Sequence, residues 1–375
     1  MSKYFLKVTI INIFQNIIET ISKKHFRFDI RSNNASKQAI PSKNNYFKLF
    51  SSFLALLNSY FFNMINSESK IKLQENHWNS YEAIFYKKGL IFMTTRKIKK
   101  LTTGQRTIDG AGVHLVRVLG HDTVMDYDPF LMLDSFDSHN PTDYIKGFPI
   151  HPHRGIETIS YLVQGEMTHQ DSLGNKGTIR SGESQWMTAG SGIMHQEMPQ
   201  ASKHMLGVQL WLNLPQKEKM TDPTYFDITG NMIGSKKTDN AIIHVLAGEY
   251  DSIKGVEPPH IKATIYDVEL QAGKSITLPT KTEDNVFIFL IEGNAIIDGT
   301  NIPEKTAVLF SEGDEISVSA ESDKQLRFMF CSAKPLKEPV SWGGPIVMNT
   351  REELNEAFKE LDKGTFIKHN AAHLD

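Results

Sequence analysis

The chain has 375 residues, 40% of them apolar and 22% charged, with a formal net charge of −2. That length admits two or more domains with real cores, and the composition excludes both a disordered chain and a strongly basic nucleic-acid reader. A single cysteine, Cys331, excludes an intramolecular disulfide, so a reducing, cytoplasmic setting is expected.

Residues 1–92 stand apart from the rest. They hold one of the 25 glycines (Gly89), one of the 15 prolines (Pro41) and half of the 22 phenylalanines, and their 13 Lys/Arg outnumber 5 Asp/Glu. Residues 93–375 carry 28 against 38, so the sign of the charge flips. With almost no Gly or Pro, the first segment has few means of reversing the chain tightly. Its Asn, Lys, Ile, Phe and Tyr content is what AT-rich DNA yields without selection for a fold. Lys88-Gly89 is compatible with a ribosome-binding sequence just ahead of Met93. Residues 1–92 are therefore expected to be a non-native or disordered extension, with translation starting at Met93; a basic, partly helical extension touching a membrane or partner is the competing reading. Polar residues such as Asn12, Gln15, Asn16 and Glu19, and later Lys48, Asn58 and Asn63, interrupt the two apolar stretches, so no membrane span is expected.

From Val113 onward, short β-branched and aromatic runs alternate with glycine turns, which predicts antiparallel β structure. Examples are Thr158–Val163 before Gly165, Val208–Leu212 before Pro215, and Val286–Ile291 before Gly293. Two β-barrels or sandwiches result, over residues 93–230 and 231–340, with the boundary in the polar stretch around Gly230 and Gly234. A tail over residues 341–375 carries one helix. Thr350 and Glu353 have capping-box spacing, Leu354, Phe358 and Leu361 recur on one face, and Gly364 ends the pattern. Because it follows the second barrel, the tail is expected to cross back over the first; the alternative is that it caps the second.

Two short motifs carry chemistry. His151-Pro152-His153 puts two imidazoles at i and i+2, on one face of a strand, and His195-Gln196-Glu197 repeats that spacing. If the pairs sit on neighbouring strands, His151, His153, His195 and Glu197 can converge on one metal ion, whereas either pair alone reads as solvated side chains. Imidazole suits zinc, copper, iron and nickel, and the lack of a nearby cysteine disfavours structural zinc and blue copper. Such a set leaves positions open for substrate and dioxygen, so iron(II) is the first choice, then manganese, nickel or copper.

Other residues carry weaker readings. Glu157 shares the parity of His151 and His153 and ranks behind Glu197, as a possible acceptor near the ligands or a surface glutamate. Arg154 either reaches the mouth to meet an anionic oxygen or makes an ordinary surface salt bridge. Trp186 and Met187 either line an apolar pocket or form core, Gly190-Ser191-Gly192 reads as a tight turn before His195, and Asp126, Asp128 and Asp134 are given no catalytic role, because turn capping explains them as well. Between residues 235 and 335 only His244 and His260 occur, so the second barrel is expected to lack metal.

The stretches Gly147–Thr158, Asp171–Gly177 and Gln185–Pro199 resemble the pirin signature, as do Asp128–Asp134 and Gly344–Thr350. The resemblance covers about residues 94–365. It implies two cupin (jelly-roll-type) β-barrels in tandem and a metal in the N-terminal cupin held by His151, His153, His195 and Glu197. It also implies one of two functions. The first is a quercetin 2,3-dioxygenase-like enzyme acting with O2 on a small aromatic or enolic substrate, with Glu197 as catalytic base once it loosens from the metal. The second is an iron-responsive regulator working through protein contacts, without touching nucleic acid directly. A monomer is expected.

Overall fold

The computed structural model describes residues 93–374, together with the backbone of Lys70–Ile71, Tyr81–Tyr86 and Gly89–Phe92. Those leading segments pair as a three-stranded antiparallel sheet whose last strand runs to Thr94. The expectation that residues 1–92 are a non-native or disordered extension otherwise falls outside the described residues. Among the described residues no helix is long and apolar enough to cross a membrane.

Two barrels follow, each made of a seven-stranded and a four-stranded antiparallel sheet. In the first, the large sheet runs in the order Thr224–Ile228, Ser184–Thr188, Ile156–Gln164, Met205–Asn213, Phe130–Ser138, Val113–Leu119, Gln105–Asp109. The small sheet runs Lys176–Arg180, Glu166–Asp171, Ile193–Pro199, Phe148–His153. In the second barrel the large sheet is centred on Leu326–Ala333 and the small one on Glu315–Ala320 and Ala295–Ile297.

One strand corrects the sequence division. Ile98–Thr103, assigned to the first barrel, pairs with Thr306–Phe310 and forms the edge of the second barrel's large sheet. Arg96, just ahead of it, is 2% exposed and donates to the carbonyls of Lys281, Asp284 and Ser311, which fastens this segment to the second barrel.

The two large sheets lie back to back, which explains why their central strands read as unbroken apolar runs. Along Val286–Ile291, Val286, Ile288 and Leu290 enter the second barrel's own core, whereas Phe287, Phe289 and Ile291 join a cluster shared with Tyr161, Val208, Leu210 and Trp186 of the first. Both faces of Val286–Ile291 are therefore buried. Asp267 crosses this interface, accepting from the Tyr161 hydroxyl at 2.7 Å and from Arg327 Nε at 3.0 Å.

After the second barrel the tail does cross back over the first. A hairpin of Ser341–Gly343 and Ile346–Met348 leads into the helix Arg351–Asp362, capped reciprocally by Thr350 and Glu353. Leu354 and Ala357 are its buried residues, while Phe358, expected on the packed face, is 38% exposed. Val347 N donates to the carbonyl of Arg154, bringing the hairpin against the turn that ends the His151–His153 strand. Gly155 in that turn has φ +77°, and a Cβ there would lie 2.0 Å from the Val347 carbonyl oxygen, so a side chain is excluded twice. Lys219, 2% exposed, ties the same place together by donating from Nζ to the carbonyls of Gly155 and Val347 and to Asn213 Oδ1.

Candidate metal centre

Phe148–His153 and Ile193–Pro199 are neighbouring antiparallel strands, with His195 directly opposite His151 and Ile193 opposite His153. The alternation predicted from the i, i+2 spacing thus delivers His151, His153 and His195 to one spot, where their ring nitrogens lie within 4.8 Å of one another. His153 and His195 are buried at 2% and 0% exposure. Gly190, with φ +49° and its Cα against the Thr221 carbonyl, makes the tight turn preceding the His195 strand.

The hydrogen bonds behind the rings decide which nitrogen is free. His151 Nδ1 lies 2.8 Å from the Pro149 carbonyl and His153 Nδ1 lies 3.1 Å from the Pro345 carbonyl. A carbonyl only accepts, so both Nδ1 atoms carry protons and, in neutral rings, both Nε2 atoms are bare. Those Nε2 atoms are 3.1 Å apart, and His195 Nε2 is buried without a partner. Burial drives the pKa of His153 and His195 well below the ordinary histidine value, with repulsion from the neighbouring histidines adding to it. Lone pairs converging from His153 and His195, whose rings burial holds neutral, are unfavourable by themselves and suit a divalent cation. The residues present therefore fit a metal ion.

Glu197 is buried beside this group but is not part of it at that distance. Its Oε1 accepts from Ser160 Oγ at 2.8 Å and Gln185 Nε2 at 2.5 Å, and its Oε2 from Gln209 Nε2 at 2.6 Å. All three donors are neutral, so the buried carboxylate has no cation among them. Between His195 and Glu197 the pairing with the partner strand shifts register, with Glu197 opposite Phe148.

Glu157 lies elsewhere. It accepts from Trp186 Nε1 at 3.1 Å and Thr188 Oγ1 at 2.8 Å, and burial raises its pKa. The Gly155 turn resets strand parity, so Glu157, Ile159 and Tyr161 face the second barrel while Ser160 faces Glu197. Glu197→Gln is accordingly expected to weaken metal binding measurably in a chelator competition, and Glu157→Gln to leave it unchanged. Equal losses from both substitutions would contradict this geometry.

Arg154 fits neither expectation. It is 3% exposed and donates from Nε to the Ser191 carbonyl and from Nη2 to the Phe366 carbonyl, pairs with Glu360 at 2.7 Å, and stacks on the Phe366 ring. It clamps the tail instead of facing a substrate. Trp186 and Met187 are buried in the core. Asp134 is no turn cap: it holds Arg117 in a bidentate pair at 2.9 and 2.7 Å, and Asp109 takes Arg117 Nη2 from the other side.

A cavity of about 550 Å³ opens over the histidines, lined by His151, His153, Gln209, Trp211, Trp342 and Arg117. Trp211 sets its ring edge-on to His153 with centroids 5.0 Å apart, and Trp342, brought by the tail, lies 5.7 Å from Trp211 and stacks on His121. Sequence reading missed Trp211, Trp342 and Gln209, which carry no spacing signal. It also missed His169 and Asp171, which sit behind His195 and do carry one: His169-Gln170-Asp171 repeats the i, i+2 spacing of the two ligand motifs.

In the second barrel His244, Asp267 and Glu269 also cluster. Arg327 already supplies a cation there, donating to both Asp267 oxygens and pairing with Glu269 at 3.2 Å.

Two jelly-roll barrels in tandem, with a histidine cluster in the first, define a bicupin protein. The family model for pirin matches residues 112–212, and that for the pirin C-terminal cupin domain matches residues 265–367. A pirin-like protein of Caulobacter vibrioides is 39% identical over 73% of this chain and 100% of its own length, and human pirin is 36% identical over 72% and 93%. A crystal structure of quercetin 2,3-dioxygenase from Acinetobacter baumannii superposes with a TM-score of 0.68 at 33% identity, covering 73% of this chain and 99% of that one. The chain belongs to the pirin family.

Proposed function

We propose that the chain is an iron(II)-dependent dioxygenase of the quercetin 2,3-dioxygenase kind, acting with O2 on a flavonol or a related phenolic or enolic compound. The observation that carries this reading is the convergence of His151, His153 and the buried, unpartnered Nε2 of His195 beside a cavity walled by two indoles. His151, His153 and His195 would hold the ion, with Glu197 as the carboxylate of the set, and manganese, nickel and copper follow iron in preference. When bound, the metal supplies Lewis acidity that stabilises the anionic form of a phenolic substrate next to dioxygen. The Acinetobacter relative bears the quercetin 2,3-dioxygenase name, which supports the same class.

The chain's own residues have defined parts in this reading. Trp211 and Trp342 offer flat apolar walls to a fused ring system. Gln209 lines the cavity and also donates to Glu197, so it stands between the carboxylate and the substrate. As Gln209 gives way, Glu197 accepts the substrate hydroxyl proton, general-base work worth roughly 10²- to 10⁴-fold in rate. Holding substrate and dioxygen together supplies the rest through proximity.

The test is anaerobic loading with iron(II), addition of quercetin, then admission of air while flavonol absorbance and carbon monoxide are followed. Ring cleavage with carbon monoxide release is expected, and it should vanish in His153→Ala. If loaded protein binds quercetin yet releases no more carbon monoxide than free iron does, the substrate assignment fails. An iron-dependent regulator acting through protein contacts then becomes the better reading.

A further inference from the structure

Behind the Nδ1 of each of the three histidines stands a hydrogen-bond partner, and one of the three partners is unlike the others. His151 and His153 donate to carbonyls, which have no alternative role. The atom behind His195 Nδ1 is His169 Nδ1, at a long 3.5 Å. An imidazole nitrogen is a donor or an acceptor according to its tautomer. If His169 carried its proton on Nδ1, it would force the His195 proton onto Nε2, the atom facing the other two histidines.

The chain removes that ambiguity. His169 Nε2 lies 3.0 Å from Asp171 Oδ2, and both side chains are fully buried. Asp171 is kept a carboxylate because its Oδ1 accepts from the backbone N–H groups of Leu173 and Asn175, and the Asn175 side chain donates to both of its oxygens. A carboxylate only accepts, so the His169 proton sits on Nε2 and the Nδ1 of neutral His169 is left as an acceptor. The ring is held in that orientation by Tyr225, stacked on it at 3.8 Å and 7°. Tyr225 in turn donates to Asp227 at 2.5 Å and meets Gln185, the same Gln185 that donates to Glu197.

We propose that Asp171 and His169 are positioning residues that fix the tautomer of His195, so that its Nε2 is presented bare to a metal. This rests on the three-histidine site being a metal centre, and not on any substrate. Partners that orient a ligating histidine in this way are typically worth roughly 10- to 100-fold in metal affinity.

Two substitutions separate hydrogen bonding from packing. His169→Phe keeps a flat ring against Tyr225 but removes the acceptor; His169→Asn loses the stack but returns an oxygen near the position of Nδ1. Cobalt(II) alone serves as probe, its affinity read by competition with a chelator, alongside the melting temperature of the metal-free protein. Cobalt affinity is expected to fall roughly 10- to 100-fold in His169→Phe with little change in melting temperature, and to recover most of that loss in His169→Asn. Native affinity in His169→Phe overturns the proposal, as does a fall in both variants that tracks their melting temperatures, since packing alone would then explain it. If the unaltered chain itself binds no cobalt, the metal-centre reading fails and this inference falls with it; binding by the unaltered chain that His169→Phe leaves intact sinks this inference alone.

Discussion

His195→Ala is expected to abolish tight metal binding, with a loss exceeding the roughly 10- to 100-fold that an outer hydrogen-bond partner is worth. The substitution removes one of the three convergent Nε2 atoms, and the one that is buried without any partner. The barrel should nonetheless fold. Its inner core of Val113, Leu115, Phe136, Leu162 and Ile179 does not depend on that ring, and the change relieves lone-pair repulsion in the metal-free state. The matched control is His244→Ala, which lies in the other cluster of possible ligands. It is expected to leave bound metal unchanged, because Arg327 already supplies a cation to both Asp267 and Glu269. His260→Ala should be equally silent, since His260 pairs with Glu218 at 2.7 Å, away from either cluster. Metal per chain measured by atomic absorption decides the matter: two ions per chain, or loss of metal in His244→Ala, would contradict a single centre in the first barrel.

How much of this could be read from the sequence depends on how local the determining physics is. Strand alternation is local, and it sufficed to bring His151, His153 and His195 together. The apolar runs announced strands, and their lack of alternation at Val286–Ile291 was itself a sign of sheets buried on both faces. Parity failed where the backbone turns. Glu157 was carried across Gly155 as though the strand continued, and the positive φ there sends it to the opposite face. Arg154 was placed at the surface or the mouth because its partners, the Phe366 carbonyl and Glu360, lie some two hundred residues downstream. Pairing at that range has no signature in a single sequence. The same holds for Ile98–Thr103, whose partner strand begins at Thr306. His169 and Asp171 are a different kind of miss, since their i, i+2 spacing is local and legible in the sequence.

The second large effect concerns the join between the barrels. Arg327→Met is expected to destabilise the protein by about 3–5 kcal/mol, the usual cost of stripping the partner from a buried charge. Asp267 is 0% exposed and sits between the back-to-back sheets, and Arg327 contacts both of its oxygens. Without Arg327, the Tyr161 hydroxyl is left as a neutral donor to Asp267, and Glu269 loses its nearest cation while keeping His244 at 3.3 Å. A buried carboxylate with one neutral donor is poorly compensated. Adding Asp267→Asn to Arg327→Met should therefore restore much of the loss, because the amide removes the stranded charge and still accepts from Tyr161. Thermal or denaturant unfolding of the two single variants and the double variant forms a double-mutant cycle. A double variant as unstable as the sum of the singles would show that Arg327 acts by packing its stem, not by neutralising Asp267. Tyr161 lies on the same strand as Ser160, whose hydroxyl meets Glu197, so the cycle also asks whether loosening the inter-barrel face reaches the metal centre. Because Asp267 and Glu197 approach that strand from opposite faces, metal affinity in Arg327→Met is expected to hold while stability falls.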